Sequence, residues 1–190
     1  MRDVESERRQ RFDGLFAAHG ADVVAYCSWR AASASDAQDA AAEVFLTAWR
    51  RLDDVPEGEA ARVWLYATAR RVVANQRRSN RRRVALQERL AGEAAVPPQP
   101  HAPGREESHV HEALLTLGRQ DREVLLLAEW EGLTPAQIAA VMGCLTVTAR
   151  GRLHRARRRF RAAFEEVAAR EQSRRGPASV TSLRSMSGGA

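Results

Sequence analysis

Apolar residues recur along the chain with the three-to-four-residue spacing of amphipathic helices, and no stretch sustains the two-residue alternation of a strand. The N-terminal half predicts three main helices, over about residues 5–30, 35–52 and from 60 into the 80s; the first could break at Gly20. The C-terminal half predicts helices over about 111–117 and 121–130, followed by a further pair. The pattern therefore predicts an all-α fold.

Each predicted helix has an apolar stripe that we expect to form the core. The stripe of the first helix comprises Phe12, Leu15, Phe16, Val23, Tyr26 and Cys27. The second stripe comprises Ala37, Ala41, Val44, Phe45, Ala48 and Leu52, and the third Leu65, Ala69 and Val72. In the C-terminal half, we expect Leu114, Leu117, Val124, Leu125 and Leu127 to pack against Ile138, Val141, Leu153, Ala156, Phe160 and Phe164.

A proline-rich segment divides the chain. Residues 91–108 hold four of the seven prolines and little that could be buried, which is typical of a flexible linker. The linker separates a domain over residues 1–90 from a second one over 109–170. Residues 171–190 are polar and rich in Ser and Gly, so we expect a disordered tail. The prediction is two small helical domains on a flexible linker.

The C-terminal domain contains the signals of a helix-turn-helix. Thr134 can cap a helix, Pro135 suits its first position, and Gln137 completes a capping box. Gly143 ends that helix, and a second helix rich in arginine starts near Thr146. A capped helix, a tight turn and a basic second helix predict a motif whose second helix enters a DNA major groove.

Charge favours a polyanionic partner. The net charge is +6 and the pI about 10.7, and all 30 basic residues are arginine. No acidic residue lies between Gly132 and Phe164. The outer face of the predicted recognition helix shows Val147, Thr148, Gly151, His154, Arg155 and Arg158, flanked by Arg150. His154 lies among arginines there, so it is a DNA contact or a bystander rather than a core histidine.

The cysteines and the N-terminal residues bear on where in the cell the protein is located. Cys27 and Cys144 occupy apolar helical contexts without metal-ligand spacing, which favours a reducing compartment. The first residues are charged, and no apolar run reaches membrane-spanning length. We therefore expect a cytoplasmic protein without a signal peptide, membrane insertion, metal or cofactor.

Two charged segments of the N-terminal domain allow several interpretations. Asp36, Asp39 and Glu43 share one face of the second helix, which could be a solvated face, a metal-dependent nuclease site or a docking surface for a basic partner. Seven arginines between residues 70 and 83 form a solvated face or bind DNA. The neighbouring Trp64 and Tyr66 favour DNA, because unstacked bases stack on aromatic rings, although Trp64 could equally belong to the core.

Taken together, these modules resemble the extracytoplasmic-function (ECF) sigma factors, small promoter-specificity subunits of bacterial RNA polymerase. Residues 36–52 resemble the family's polymerase-clamp-binding helix, and residues 61–78 its helix for opening and reading the minus-ten element. Residues 111–160 resemble the domain that reads the minus-thirty-five element. The resemblance covers about 10–90 and 109–165, nearly everything outside the linker and tail.

The resemblance implies core polymerase, promoter DNA and an anti-sigma factor as partners of a chain that is monomeric when free and has no active site. It implies polymerase-binding residues Asp36, Asp39, Glu43 and Phe45, and minus-ten residues Trp64, Arg71, Asn75, Arg77 and Arg78. It implies upstream-element residues Thr148, Arg150, Gly151, Arg152, His154, Arg155 and Arg158. Arg150 and Arg155 are the candidates for guanine contacts, and Arg152, Arg157 and Arg158 for phosphates.

The sequence departs from the family pattern at several positions. Ala40, Ala41 and Ala42 replace the usual Leu-Val-Gln, and Val147 and Gly151 replace the usual Gly and Ser. An autonomous helix-turn-helix regulator is the alternative function, but it would need a dimer interface, and no spare apolar helix supplies one. A metallonuclease is the third and weakest alternative, because no His and no second segment with carboxylates converges on the acidic face.

Overall fold

The computed structural model describes the backbone of residues 2–91 and 105–175 and the side chains of residues 4–83 and 109–173. The described residues form seven α-helices and a short 3-10 turn, with no strand among them, which confirms the predicted all-α fold. The helices are α1 (Arg2–Ser28), α2 (Ala34–Arg50), α3 (Glu59–Ala91), α4 (Arg105–Thr116), α5 (Arg119–Glu129), α6 (Pro135–Met142) and α7 (Thr146–Arg175), and the 3-10 turn is Leu52–Asp54.

Three helices differ in extent from the sequence prediction. α1 passes through Gly20 unbroken, because the alanines around it favour a helix and offset a cost of roughly 1 kcal/mol. α4 begins at Arg105, inside the predicted linker, and α7 continues to Arg175, inside the predicted tail. Each extension stops short of a helix breaker, Gly104 or Gly176. The other linker and tail residues, 92–104 and 176–190, lie outside the described residues, so their predicted flexibility and disorder stay predictions.

Contacts between helices divide the chain into two compact units. The first comprises Met1–His101 with Leu126–Gly151, and the second Ala102–Leu125 with Arg152–Ala190. The division falls inside α5 and inside α7, whereas the sequence suggested a division at the linker. The domains 1–90 and 109–170 stay a prediction.

In the first unit, α1, α2 and α3 pack against one another, and α6 packs against α3. The Tyr26 and Tyr66 rings stack with centroids 5.1 Å apart, and both side chains are fully buried. All six predicted core residues of the second helix are buried. Two predictions were wrong: Phe16 is half exposed, although its ring edge contacts Phe45, and Val73 is buried in place of Val72. Val73 lies two turns after Tyr66, on the same face of α3.

Polar contacts order the second unit. The Arg122 guanidinium donates to the carbonyl oxygens of Leu114 (2.7 Å), Leu115 (2.8 Å) and Leu117 (3.1 Å), at the end of α4. A cation at this end suits the terminal carbonyls of the helix, and the Leu114 carbonyl also accepts from the Leu117 backbone N–H (3.2 Å). Burial lowers the pKa of Arg122. Asp121 accepts from Arg159, so α5 is fastened to α4 at its start and to α7.

Candidate nucleic-acid and protein-binding faces

The predicted helix-turn-helix is present, and its local signals act as expected. The Gln137 backbone N–H donates to Thr134 Oγ1 (3.4 Å), and the Thr134 N–H donates to Gln137 Oε1 (2.8 Å), which completes the capping box. Gly143 ends α6 with φ 65° and ψ 45°, a left-handed conformation that favours glycine. A short turn therefore follows α6, and α7 begins at Thr146.

The start of α7 has the two faces that the sequence predicted. Ala149, Leu153 and Ala156 are buried, whereas Phe160 is half-buried and Phe164 is exposed, so the predicted inner stripe loosens along the helix. The predicted upstream-element residues lie away from the buried stripe. Four of them are exposed (Arg150, His154, Arg155 and Arg158), and three are half-buried (Thr148, Gly151 and Arg152).

The exposure of His154 excludes its being a core histidine. Among the described side chains, no carboxylate forms an ion pair with Arg150, Arg155 or Arg158, whereas Arg159 pairs with Asp121. The arginines of this face are thus available to an external anion. Their planar guanidinium groups suit phosphates and the guanine edge.

On α3, the predicted minus-ten residues do not all share one face. Arg71, Asn75 and Arg78 are exposed on one stripe, and the Arg78 guanidinium donates to Asn75 Oδ1 at 2.5 Å. Trp64 lies on the same stripe at helical spacing and is half-buried, so it is neither a full core residue nor a free surface. Asn75 and Arg78 also line an open groove with Arg81 and Arg82.

Two residues near this stripe point into the protein instead. The Arg77 guanidinium donates to the carbonyl oxygen of Arg30, just after α1, and so holds α3 against that helix end. Tyr66, expected from the sequence to offer a surface to bases, is fully buried and donates its hydroxyl to the carboxylate of Glu131. Burial is the main cause of its raised pKa, with Glu131 adding to it. Its predicted stacking role was wrong, because partners distant in sequence enclose it.

The acidic face of α2 lies on the side of the helix that points away from the core. The Asp36 backbone N–H donates to Ser33 Oγ (3.1 Å), which caps the helix, and the Asp36 side chain is half-buried. Asp39 and Glu43 are exposed. Phe45, predicted to bind polymerase, is buried on the opposite face and packs edge-on against Phe16, with ring centroids 4.8 Å apart. Phe45 therefore holds the helix in place rather than reaching a partner.

Sequence reasoning missed Leu46, whose side chain is 42% exposed. On a helix, Leu46 follows Glu43 by three residues and precedes Arg50 by four, so it extends the acidic face. Exposed apolar residues are common singly. Helical spacing could have identified Leu46 from the sequence, because it lies on the same side of α2 as Asp39 and Glu43 and not on the buried side with Val44 and Ala48.

The described residues contain no group of three His, Cys, Asp or Glu side chains that could hold a metal ion. Burial raises the pKa of the Cys27 thiol to about 11, with the charge of Arg30 acting in the opposite direction. None of the described helices is both long enough and apolar enough to cross a lipid bilayer.

Both halves of the chain are similar to known proteins. The family profile Sigma-70 region 2 matches residues 15–83, and Sigma-70, region 4 matches residues 109–160. The chain is similar to the ECF RNA polymerase sigma factor SigC of Mycobacterium tuberculosis (strain CDC 1551 / Oshkosh), with 36% identity over 135 residues that cover 70% of this chain and 71% of that protein. SigL of Mycobacterium tuberculosis (strain H37Rv) is 29% identical over 157 residues, covering 80% of this chain and 88% of SigL.

Solved structures show the same fold. The sigma factor RpoE, in complex with the anti-sigma factor NepR from Bartonella quintana, matches with a TM-score of 0.61 at 21% identity and covers 87% of this chain and 98% of its own. CnrH, in complex with the cytosolic domain of CnrY, matches with a TM-score of 0.59 at 23% identity, covering 82% and 88%. At these identities the likeness concerns the fold alone.

Proposed function

The chain belongs to the ECF sigma factors of the sigma-70 family and is an alternative RNA polymerase sigma factor, and we propose how its surfaces divide that function. The outer face of α2 binds core polymerase. The exposed stripe of α3 contacts the minus-ten element, and the outer face at the start of α7 reads the upstream element. This division assigns residues 1–90 and 109–170 to separate tasks, in agreement with the two matched profiles.

The observation that carries the proposal is that the exposed faces of α2 and α7 have opposite charge. Asp39 and Glu43 are exposed on α2, and their carboxylates would repel DNA phosphates but attract a basic protein surface. Leu46 adds an apolar contact to that face, because protein interfaces combine a desolvated apolar centre with a polar rim. Phe45 supports the face from the core.

On α3, Arg71, Asn75 and Arg78 form the proposed minus-ten surface. The Asn75–Arg78 hydrogen bond fixes the amide and the guanidinium side by side, and the groove they line with Arg81 and Arg82 is strongly basic. Such a groove follows a nucleic-acid backbone through its charge. Trp64, half-buried on the same stripe, offers part of its ring to an unstacked base, next to the loop at residues 56–59.

On α7, we assign base contacts to two arginines and phosphate contacts to three others. Arg150 and Arg155 are exposed, and each can bond both acceptors of a guanine edge. Arg152, Arg157 and Arg158 contact phosphates, which position the helix without reading sequence. Gly151 has no side chain, so the helix backbone can approach the groove closely there.

Regulation by a protein partner is part of the proposal. RpoE and CnrH, which share this fold, were solved with the anti-sigma factor NepR and the cytosolic domain of CnrY. We infer that an anti-sigma protein likewise holds this chain inactive in the cytoplasm, where it is monomeric when free. Sigma factors are non-enzymatic initiation factors, and we infer that this chain has no active site of its own.

Affinity for core polymerase tests the assignment at a single residue. Leu46→Ala should weaken binding of the full chain to core polymerase several-fold, because Leu46 is only 42% exposed and has only part of its apolar area left to bury in an interface. Val24→Ala is the matched control, because Val24 is also 42% exposed but lies on α1. Equal affinities for both variants and the unaltered chain would remove Leu46 from the interface.

A further inference from the structure

Val147 is the second residue of α7 and one of the most exposed large apolar side chains among the described residues, at 71%. Scattered apolar side chains are normal on a protein surface. The position of Val147 distinguishes it, because the N-terminal residues of a recognition helix are the ones that contact base edges. A β-branched residue there also gains nothing from helix propensity.

The surroundings of Val147 indicate a nucleic-acid ligand. Arg150 is exposed one turn further along the same side of α7, and Thr148 is half-buried beside it. No acidic residue occurs between Gly132 and Phe164, so this end of α7 contains no carboxylate that would repel DNA. An apolar side chain at this point therefore has an exposed arginine one turn away and no acidic residue nearby in the sequence, which favours a phosphate-bearing partner.

Gly151 leaves access to Val147 open. Side chains on a helix lean toward its N-terminus, so the residue four positions later normally covers part of a given side chain. At position 151 that residue is glycine, which has no side chain to cover Val147. The residue one turn later therefore does not cover the Val147 side chain, which is 71% exposed.

We propose that Val147 reads a thymine through its C5-methyl group in the upstream element. The major-groove edges of the bases present hydrogen-bonding groups and one apolar group, the thymine methyl. A valine side chain can form no hydrogen bond, so the methyl is the feature of a base edge that it can recognise. This inference rests on the proposed function of α7 and adds a specificity-determining residue to it.

Helical geometry places this thymine next to the base that Arg150 contacts. Three residues of α-helix advance about 4.5 Å, which is close to the spacing of about 3.4 Å between successive base pairs. The position that Val147 reads should therefore be adjacent to the position whose preference is lost in Arg150→Ala.

Deoxyuridine tests the proposal, because it lacks only the methyl group of thymine. The upstream element is first obtained by binding-site selection with holoenzyme formed from the full chain. Each thymine in it is then replaced singly by deoxyuridine, and holoenzyme affinity is measured. We expect a loss of roughly fourfold at one position, about the effect of one buried methyl group, and no such loss with Val147→Ala.

Two control variants keep the result specific. Val24→Ala removes an exposed valine on α1 and should retain the deoxyuridine effect. Leu145→Ala removes the 73% exposed leucine of the preceding turn and should retain it as well. Thermal unfolding of each variant checks that the fold is kept. If the effect disappears in Leu145→Ala and persists in Val147→Ala, the assignment to Val147 is overturned.

The remaining outcomes separate this inference from the function on which it rests. In one outcome the holoenzyme binds selectively although no deoxyuridine substitution weakens binding, and in another the selected element contains no thymine next to the Arg150 position. Either result overturns the proposed reading of thymine by Val147 but leaves the proposed function of α7 intact. Holoenzyme that selects no upstream element overturns the proposed function of α7 itself.

Discussion

Helices α2 and α7 are both amphipathic, yet their outer faces have opposite charge. Asp39 and Glu43 are exposed on α2, whereas Arg150, Arg155 and Arg158 are exposed on α7. A chain with a net charge of +6 would bind polyanions with much of its surface if its charges were mixed evenly. Separation of the two signs onto different helices would suit each face to a different class of partner.

The apolar residues on these two faces differ as well. Leu46 on α2 is 42% exposed, beside carboxylates, and Val147 on α7 is 71% exposed, beside arginines. On a face that docks to protein, a partly exposed leucine can be desolvated by a neighbouring side chain. On a face that enters a groove, a short and largely exposed valine can reach a base edge. The neighbouring charges thus decide which ligand an exposed apolar residue suits.

The largest expected effect comes from reversing the charge on α2. The double change Asp39→Arg and Glu43→Arg should weaken binding to core polymerase at least about tenfold, because like charges would then face each other. Helical content should be unchanged, since both side chains point away from the core. Fluorescence anisotropy with labelled chain measures the affinity.

The matched control for this change is Glu5→Arg with Glu7→Arg, which alters net charge equally at exposed positions on α1. Core affinity that falls equally in both double variants would mean that total charge, and not the α2 face, controls binding.

The next effect concerns base reading on α7. Arg155→Ala should cost about 1–3 kcal/mol on the preferred upstream element and relax selectivity at one position, because a bidentate guanine contact is lost. Binding-site selection with holoenzyme measures both. Full retention of sequence preference in this variant would exclude Arg155 from base reading.

A smaller effect should act through stability alone. Thr134→Ala removes the capping box of α6 and should lower the free energy of unfolding by about 1 kcal/mol. Thermal denaturation measures the change, and Ser79→Ala, at an exposed position within α3, is the control. The selected DNA sequence should stay the same, so a changed preference would show that Thr134 contacts DNA.

The smallest effect is expected at a phosphate contact. Arg158→Ala should weaken binding to all sequences alike and reduce the slope of log affinity against log salt by about one unit. Titrations at several salt concentrations give the slope. Loss of sequence preference here, with retention in Arg155→Ala, would mean that the two arginines exchange roles.

Features encoded by near neighbours could be predicted from the sequence. The capping box of Thr134 and Gln137 and the left-handed Gly143 depend on residues within one or two turns, and the structure has them as predicted. The two faces of α2 also followed from helical phase, because its buried side is almost entirely alanine, valine and phenylalanine.

Features that depend on distant partners could not be predicted. Tyr66 is enclosed by Tyr26 and bonded to Glu131, 65 residues away in the sequence. Arg77 belongs to an arginine run, yet it bonds to the Arg30 carbonyl, 47 residues away. A run of arginines or an aromatic residue has the same local sequence whether it faces DNA or the core. The roles of the side chains on α3 could therefore be assigned only once the packing of the helices was known.

The most direct test of the divided function is a binding-site selection performed twice, with the full chain alone and with the chain bound to core polymerase. We predict that core polymerase is required to enrich a two-part element, a minus-ten sequence and an upstream sequence. We also predict that Asp39→Arg with Glu43→Arg abolishes that enrichment at limiting core. Enrichment of the same element by the chain alone, with equal strength, would contradict the account and indicate an autonomous helix-turn-helix regulator.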